Sequence, residues 1–436
     1  MEKTKVAVVG MGTVGSGVAR LLLDHGDRTA RHAGRTLWLE QVVVRNIGKE
    51  RDADLPVGLI SDDLKKITED SGIKVVAQLI GGLEPARTIM LQLLEAGKDV
   101  VTANKALLAE HGPELFDRAR ELGRTIAFEA SVAGGIPIVA NIGQCLSANQ
   151  IQSVRAILNG TSNYILSKME ETGLSFDKCV VDAQEKGYAE ADPTMDIDGT
   201  DATQKLAILA HLAFGARIHW SDIPRQGIES ISQGDILIAS QLGYRIRLLA
   251  IAQMSDNGLE VHVSPTLVRI GQPLAEVRGP YNAVSVVGDA VGRVFFHGQG
   301  AGKMPTASAV VADMIDTAVG RTELTFRNLE LWSDQEAAVK MRDPKEVRSR
   351  YFTRFKIKDQ PGMLSKIAGI FGKNGISISS VIQHEPQSQE DPFVPLVIMT
   401  YEATAEAAQN SMQEIETLEP VQSGSLCLRV LDTPKE

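Results

Sequence analysis

The sequence predicts an α/β protein of three parts: a doubly wound parallel sheet, a mixed α/β middle and a small C-terminal α+β unit. Three observations carry that reading. A short apolar run, Val6-Ala7-Val8-Val9, leads directly into Gly10-Met11-Gly12-Thr13-Val14-Gly15 and then a helical pattern at Val18, Leu21 and Leu22. Further apolar runs alternate with helical stretches to about residue 136, the pattern of a parallel sheet with crossover helices. Near the C-terminus, after a charged stretch, a strand, a turn, a helix and another strand follow one another in quick succession.

Residues 38–44, 75–80, 99–102 and 125–130 read as the remaining buried strands of the first part, and Glu84-Pro85-Ala86 opens a helix with Pro in its first turn. From Ile136 to about Gly300 the helices lengthen and the strands, at 153–158 and 248–254, look antiparallel, as in a substrate-binding and oligomerisation domain. Residues 305–319 are helical and apolar and should return to the first part. Residues 321–350 are charged and irregular, the mark of a linker. Then 352–357 alternates as a strand, Asp359-Gln360-Pro361-Gly362 turns, Leu364, Ile367, Ala368 and Phe371 fall at helical spacing, and a second strand begins after Gly375.

A G-x-G-x-x-G between a strand and a helix is a dinucleotide fingerprint, because it combines a tight turn, close backbone approach to a pyrophosphate and a free helix N-terminus. Gly10, Gly12, Thr13, Val14 and Gly15 are therefore the expected cofactor contacts. The second strand ends at Arg45, where an NAD site would usually place a carboxylate for the ribose 2′-hydroxyl. A guanidinium suits a 2′-phosphate, which points to NADP, with NAD still possible. Gly81 and Lys105 follow the ends of later strands, where ligands of such sheets bind.

The segment Gly187-Tyr188-Ala189-Glu190-Ala191-Asp192-Pro193, continuing to Asp196, Asp198, Gly199, Asp201 and Lys205, is the most informative. Asp201 and Lys205 stand four apart at the start of a helix, so they share a face. In isolation that is a solvated ion pair. Here Leu206, Ala207, Ile208, Leu209 and Ala210 make the helix apolar nearly all round, which is the signature of burial. A buried Lys and Asp are costly unless they pair or act on something, so this helix end reads as the floor of a site.

Composition bounds the rest. A chain of 436 residues exceeds one ordinary domain. Its net charge of −10 argues against nucleic-acid or anionic-membrane partners. Cys145, Cys179 and Cys427 are widely spaced and fit neither a zinc site nor a disulfide framework. With no room for a signal peptide before the first strand and no membrane-length apolar run, a cytoplasmic protein is expected.

Taken together, these blocks resemble homoserine dehydrogenase with a C-terminal ACT domain. The resemblance covers nearly the whole chain: GMGTVG at 10–15, IGGLEPA at 80–86, TANKALLA at 102–109, EASVAGGIPI at 129–138, LNGTSNYIL at 158–166, GYAEADPTMDIDGTDATQKLAIL at 187–209, GAGKMPTAS at 300–308 and DQPGMLSKIAGIFGKNGISI at 359–378. One departure is Gln204, where the family often has His; it should point away from the site face. The resemblance implies a Rossmann domain over 1–136 with helix 305–319 returning to it. A catalytic and dimerisation domain over 137–304, a linker over 320–349 and a ferredoxin-like ACT domain over 350–432 complete the chain. It implies reversible reduction of aspartate 4-semialdehyde to homoserine with NAD(P)H, in a homodimer or homotetramer. By the same resemblance Glu190 and Asp201 hold the substrate, Gly187 and Gly302 touch the cofactor, and a monovalent cation, Na+, sits on Glu129, Val132, Gly134 and Ile136, mostly through backbone oxygens. Lys205 is the proton donor the chemistry needs, with Lys105 as rival or helper. The ACT turn at Asp359–Leu364 and the segment Asn374–Ile378 would bind an amino-acid effector, L-threonine. Deleting the chain from Ser349 should then leave an active enzyme insensitive to it.

Two readings from other classes compete. A phosphorylating semialdehyde dehydrogenase needs a thiolate, and Cys145, in an apolar helical stretch, reads as a core cysteine instead. A ligand-sensing regulator with a relic Rossmann fold should have lost Lys205 or Glu190, and both are present.

Overall fold

A computed structural model describes residues 2–24, 26–52, 55–56, 58–332, 339–383 and 393–431. They divide into two compact units. One comprises Met1–Val154, Thr203–Ile223 and Asn282–Val339; the other comprises Arg155–Ala202, Pro224–Tyr281 and Lys340–Glu436.

The first unit is built on strands β1 (Lys3–Val9), β2 (Thr36–Val43), β3 (Ile60–Ser61), β4 (Ile73–Gln78), β5 (Asp99–Thr102) and β6 (Ile126–Ala127), in the order β3-β2-β1-β4-β5-β6. Every described pairing is parallel. Strands so rich in Val, with both faces buried, require helices on each side. Helix Lys303–Ala318 supplies part of that cover: Ala307, Val310, Val311 and Met314 share one core with Val6, Val8, Val18 and Val101. The packing is tight, since a Cβ on Gly17 would come within 2.9 Å of both the Ala307 Cβ and the Lys303 carbonyl. Helix Lys303–Ala318 thus packs into the core of this sheet.

Two expectations for this unit need correction. The run 125–130 gives only the two-residue strand β6, followed by a 3-10 turn at Glu129–Ser131. Polar ties pull the chain out of the sheet there: Glu129 donates its N–H to the Asp313 carboxylate at 2.8 Å and caps a following turn with its own. The irregular linker expected from residue 321 begins instead with helix Arg321–Leu329. It is held by Phe326, whose ring stacks on Phe116 at 5.4 Å between centroids. Residues 333–338 of that linker, and Asp432 at the expected end of the chain's last domain, lie outside the described residues.

The second unit contains the hairpin Tyr244–Ser255 and Gly258–Arg269, antiparallel along its full length. Its C-terminal part runs strand Arg348–Lys358, helix Met363–Lys373, strands Ile378–Gln383 and Phe393–Thr400, helix Ala405–Glu416 and strand Val421–Val430. This is a β-α-β-β-α-β arrangement. Tyr351, Phe355, Ile367, Phe371, Leu396 and Ile415 fill the core between its sheet and its two helices. Its sheet does not stop at the module's edge, because Val421–Val430 also pairs in parallel with Gly258–Arg269, at Arg429–Thr266 and Val430–Leu267. No helix among the described residues is long and apolar enough to cross a membrane.

Candidate active site

In the first unit the sequence-predicted cofactor residues gather at the C-terminal ends of β1, β2, β4 and β5. Gly10 leaves β1 with φ +93°, which favours glycine, and donates to the Val43 carbonyl at 2.9 Å. A Cβ on Gly15 would lie 2.2 Å from the Gly10 carbonyl oxygen, so this position tolerates nothing larger. Gly12, by contrast, faces open space, as a backbone that must approach a pyrophosphate should. Thr13 and Val14 form the first turn of helix Thr13–Asp24. Arg45 is exposed just past the end of β2, and Gly81 just past β4.

Lys105 opens helix Lys105–Glu121 directly after β5 and is half-buried. Asn104 caps that helix by accepting from the Leu107 N–H at 3.1 Å. Its amide hydrogens go to the carbonyls of Ile80 at 3.0 Å and Gly82 at 2.6 Å. One side chain therefore fixes the Gly81 turn against the Lys105 turn. Its signal, an Asn immediately before a helix, was present in the sequence. Gly302 precedes helix Lys303–Ala318 with φ +124°.

The helix that carries Asp201 and Lys205 spans Thr200–Phe214. Asp201 is 6% and Lys205 9% exposed, and Leu206, Ile208 and Leu209 beside them are fully buried, so the charged end is desolvated as expected. Gln204 is also buried, and its Oε1 has no hydrogen-bond partner among the described residues. It does not project into solvent.

In the second unit, Gly187 (φ +72°) and Glu190 lie on the loop after helix Phe176–Glu185, and Glu190 is exposed. The loop backbone is pinned. Thr161 Oγ1 donates to the Tyr188 carbonyl at 2.6 Å, and Gln184 Nε2 donates to the carbonyls of Glu190 and Ala191 at 3.2 Å each. Lys186 anchors the base of the loop through the Tyr164 hydroxyl (2.7 Å) and the Asp182 carboxylate (2.9 Å). These bonds raise the Lys186 pKa above its ordinary value, the one to Tyr164 most of all.

Glu129, Val132, Gly134 and Ile136 occupy a compact turn of the first unit. Both oxygens of the Glu129 carboxylate accept backbone hydrogens, from Val139 at 2.9 Å and Ala140 at 2.7 Å. Burial still pushes this carboxyl above its ordinary range, and pushes Asp313 up further, with Glu129 adding to the effect on Asp313. The two acids line a cavity of about 70 Å³ with Ile126, Leu212 and Phe326. Among the described residues no group of three or more His, Cys, Asp or Glu side chains is arranged to hold a metal ion.

Cys145 is exposed, not in the core as its apolar neighbours suggested, because it ends a wide helical turn, Asn141–Cys145. Cys179 and Cys427 are held as thiols, since burial raises both.

With this geometry in place, comparison with known proteins decides the family. The model of the homoserine dehydrogenase family matches residues 137–315, that of its NAD-binding domain 10–129, and that of the ACT domain 351–420. The chain belongs to the homoserine dehydrogenase family. It is 40% identical to the homoserine dehydrogenase of Pseudomonas aeruginosa, over 99% of both chains. It superposes on the crystal structure of the Thiobacillus denitrificans homoserine dehydrogenase with a TM-score of 0.91, 39% identity and 99% coverage of each chain. A hyperthermophilic archaeal homoserine dehydrogenase in complex with NADPH is similar over 72% of this chain and 97% of its own, with a TM-score of 0.58 and 26% identity. The reaction of the family is the NAD(P)-dependent interconversion of L-aspartate 4-semialdehyde and L-homoserine, and this chain is an NAD(P)-dependent oxidoreductase of that kind.

Proposed function

We propose that this chain prefers NADPH, that Lys205 transfers the proton, and that Glu190 and Asp201 bind the α-ammonium group of the substrate. The observation that carries the reading is the desolvated acid–base pair of residues on helix Thr200–Phe214. Reduction needs a hydride at the carbonyl carbon, which the nicotinamide supplies when bound, and a proton at the carbonyl oxygen. Lys205 holds that proton and, in the reverse direction, takes it back. Half-buried Lys105, at the nicotinamide-side edge of the sheet, orients the substrate. The glycine turn, Thr13 and Val14 take the pyrophosphate, Arg45 the 2′-phosphate, and Gly81, Gly187 and Gly302 leave the backbone open to the cofactor. The archaeal relative bound to NADPH supports this choice of cofactor.

A Na+ ion fits the turn at Glu129, Val132, Gly134 and Ile136 through backbone carbonyls. The Glu129 carboxylate is committed to the Val139 and Ala140 N–H groups, so the carbonyl oxygens of the turn would have to supply the ligands, a donor type suited to a hard monovalent cation. The functional division we propose is nucleotide binding by 1–136 with helix Lys303–Ala318, catalysis and homo-oligomerisation by 137–304, and regulation by 350–432 with L-threonine as effector. The ACT-domain match supports a small-molecule effector site. Oxidation of homoserine with NADP and with NAD, each with and without threonine and Na+, tests the whole reading. A preference for NAD, or indifference to threonine, overturns the corresponding part.

A further inference from the structure

Asn159 ends the segment after strand Ile151–Ile157 and caps helix Gly160–Thr172. The Ser162 N–H reaches its Oδ1 at 2.7 Å, which is the ordinary work of an N-cap asparagine. Its amide nitrogen does something a cap does not require. One hydrogen goes to Asp196 Oδ1 at 2.7 Å and the other to Asp201 Oδ2 at 2.9 Å. The Ser162 hydroxyl lies 2.8 Å from Asn159 Oδ1 and 2.5 Å from the Asp196 carbonyl, and so adds a second link between Asn159 and the Asp196 segment.

Asn159 is 5% exposed and Asp201 6%, so water does little to screen or solvate this arrangement. An amide nitrogen carries two hydrogens and no acceptor, and here each hydrogen meets a carboxylate. The orientation of the amide is fixed by its neighbours. A flipped group would point its oxygen at two carboxylates and its hydrogens at an N–H. Two carboxylates drawn to one neutral donor also face each other across it. Hydrogen bonds to charged groups are the stronger class, so the bond from Asn159 restricts where Asp201 can present its oxygens.

We propose that Asn159 is a positioning residue: its amide fixes the Asp201 carboxylate for the α-ammonium group of the substrate and so sets amino-acid recognition. The inference rests on the reading that Asp201 binds this ammonium group. It needs no direct contact between Asn159 and substrate.

The test uses the full-length enzyme with Asn159→Asp and Asn159→Ser, both of which keep an N-cap acceptor. Losing a charge-assisted hydrogen bond should raise KM for homoserine by roughly ten- to a hundredfold. The dissociation constant for NADP should stay unchanged, and the preference for homoserine over its des-amino analogue 4-hydroxybutanoate should shrink by a similar factor. A purely structural role moves neither that preference nor KM selectively. Unchanged KM in both variants reduces Asn159 to a helix cap, and loss of the fold in both assigns it to structure alone; either result overturns the proposal. Asp201→Asn, measured alongside, separates the two readings. If it impairs homoserine binding while the Asn159 variants do not, positioning fails and the ammonium site stands. If Asp201→Asn is itself silent, the ammonium site fails and Asn159 has nothing to position.

Discussion

The Arg354 guanidinium grips the Asp235 carboxylate with two hydrogen bonds, Nε to Oδ1 at 2.9 Å and Nη2 to Oδ2 at 3.2 Å. Arg354 lies on the first strand of the C-terminal module, whereas Asp235 completes the capping box of helix Gln233–Gln241. The Asp235 side chain is 1% exposed. Together with the Arg429–Thr266 and Val430–Leu267 pairing, this bond makes the module part of the same packed unit as the hairpin Tyr244–Ser255 and Gly258–Arg269.

Arg354→Leu should therefore destabilise the protein strongly. Removing one partner of a buried pair leaves an uncompensated charge, at a cost of about 3 kcal/mol. Asp235 would keep the N–H and hydroxyl of Ser232, at 2.8 and 2.6 Å, which limits the loss. Urea denaturation followed by intrinsic fluorescence measures it. The double variant Arg354→Leu with Asp235→Leu should recover much of the stability, and a double variant no better than the single one would show that packing, not charge, was lost.

The same pairing changes what truncation at Ser349 should do. Removing strand Val421–Val430 uncovers the edge of Gly258–Arg269 and leaves Asp235 buried without Arg354. An uncovered edge strand invites association between chains. The truncated chain should show concentration-dependent self-association in sedimentation velocity, so insensitivity to threonine is better tested by substitution at the Asp359–Leu364 turn.

Lys205→Ala should lower kcat by about 10²–10⁴-fold, the usual contribution of a general acid or base, with the NADP dissociation constant nearly unchanged. Stopped-flow absorbance at the nicotinamide band reads both. A variant that keeps most of its turnover would pass the proton to Lys105.

Arg45→Ala should raise KM for NADP by roughly ten- to a hundredfold, the value of one charge-assisted contact to phosphate, and leave KM for NAD almost unaltered. The exposed position of Arg45 makes a folding defect an unattractive explanation for any change. Equal losses with the two cofactors would remove Arg45 from the 2′-phosphate site.

Much of this was legible in the sequence because periodicity and glycine spacing report local geometry. The β1 run, the three glycines with their different constraints, and the buried Asp201–Lys205 helix needed no tertiary information. What escaped depends on contacts between residues far apart in the chain. Thr125 to Ala130 reads as strand on its own, but β6 ends early where Glu129 binds Asp313, 184 residues away, and the turn at Val139 and Ala140. Helix Arg321–Leu329 was hidden by its charges, since Phe326 finds its partner at Phe116. Nothing local to Arg354 signals its partner, because Asp235 stands 119 residues away in the chain.

His211 is buried, and both ring nitrogens are committed: Nδ1 lies 3.0 Å from the Ala216 carbonyl, and Nε2 accepts the Trp332 N–H at 2.6 Å. The first contact requires a hydrogen on Nδ1 and the second requires a lone pair on Nε2, which together demand the neutral ring. The Trp332 indole also stacks on it at 4.5 Å. Burial lowers the His211 pKa, outweighing the Ala216 carbonyl that raises it. The folded-state pKa thus lies below that of the unfolded chain, about 6.5. As pH falls through 6.5 the unfolded state binds the proton first, so stability is full above that value and is lost below it, by up to about 1.4 kcal/mol per pH unit. His262, also lowered by burial, adds a loss of the same sign. His211→Gln keeps one donor and one acceptor but cannot titrate. Its urea midpoint should fall less between pH 7.5 and 5.5 than that of the parent, and identical slopes would mean that His211 is not a source of the acid sensitivity.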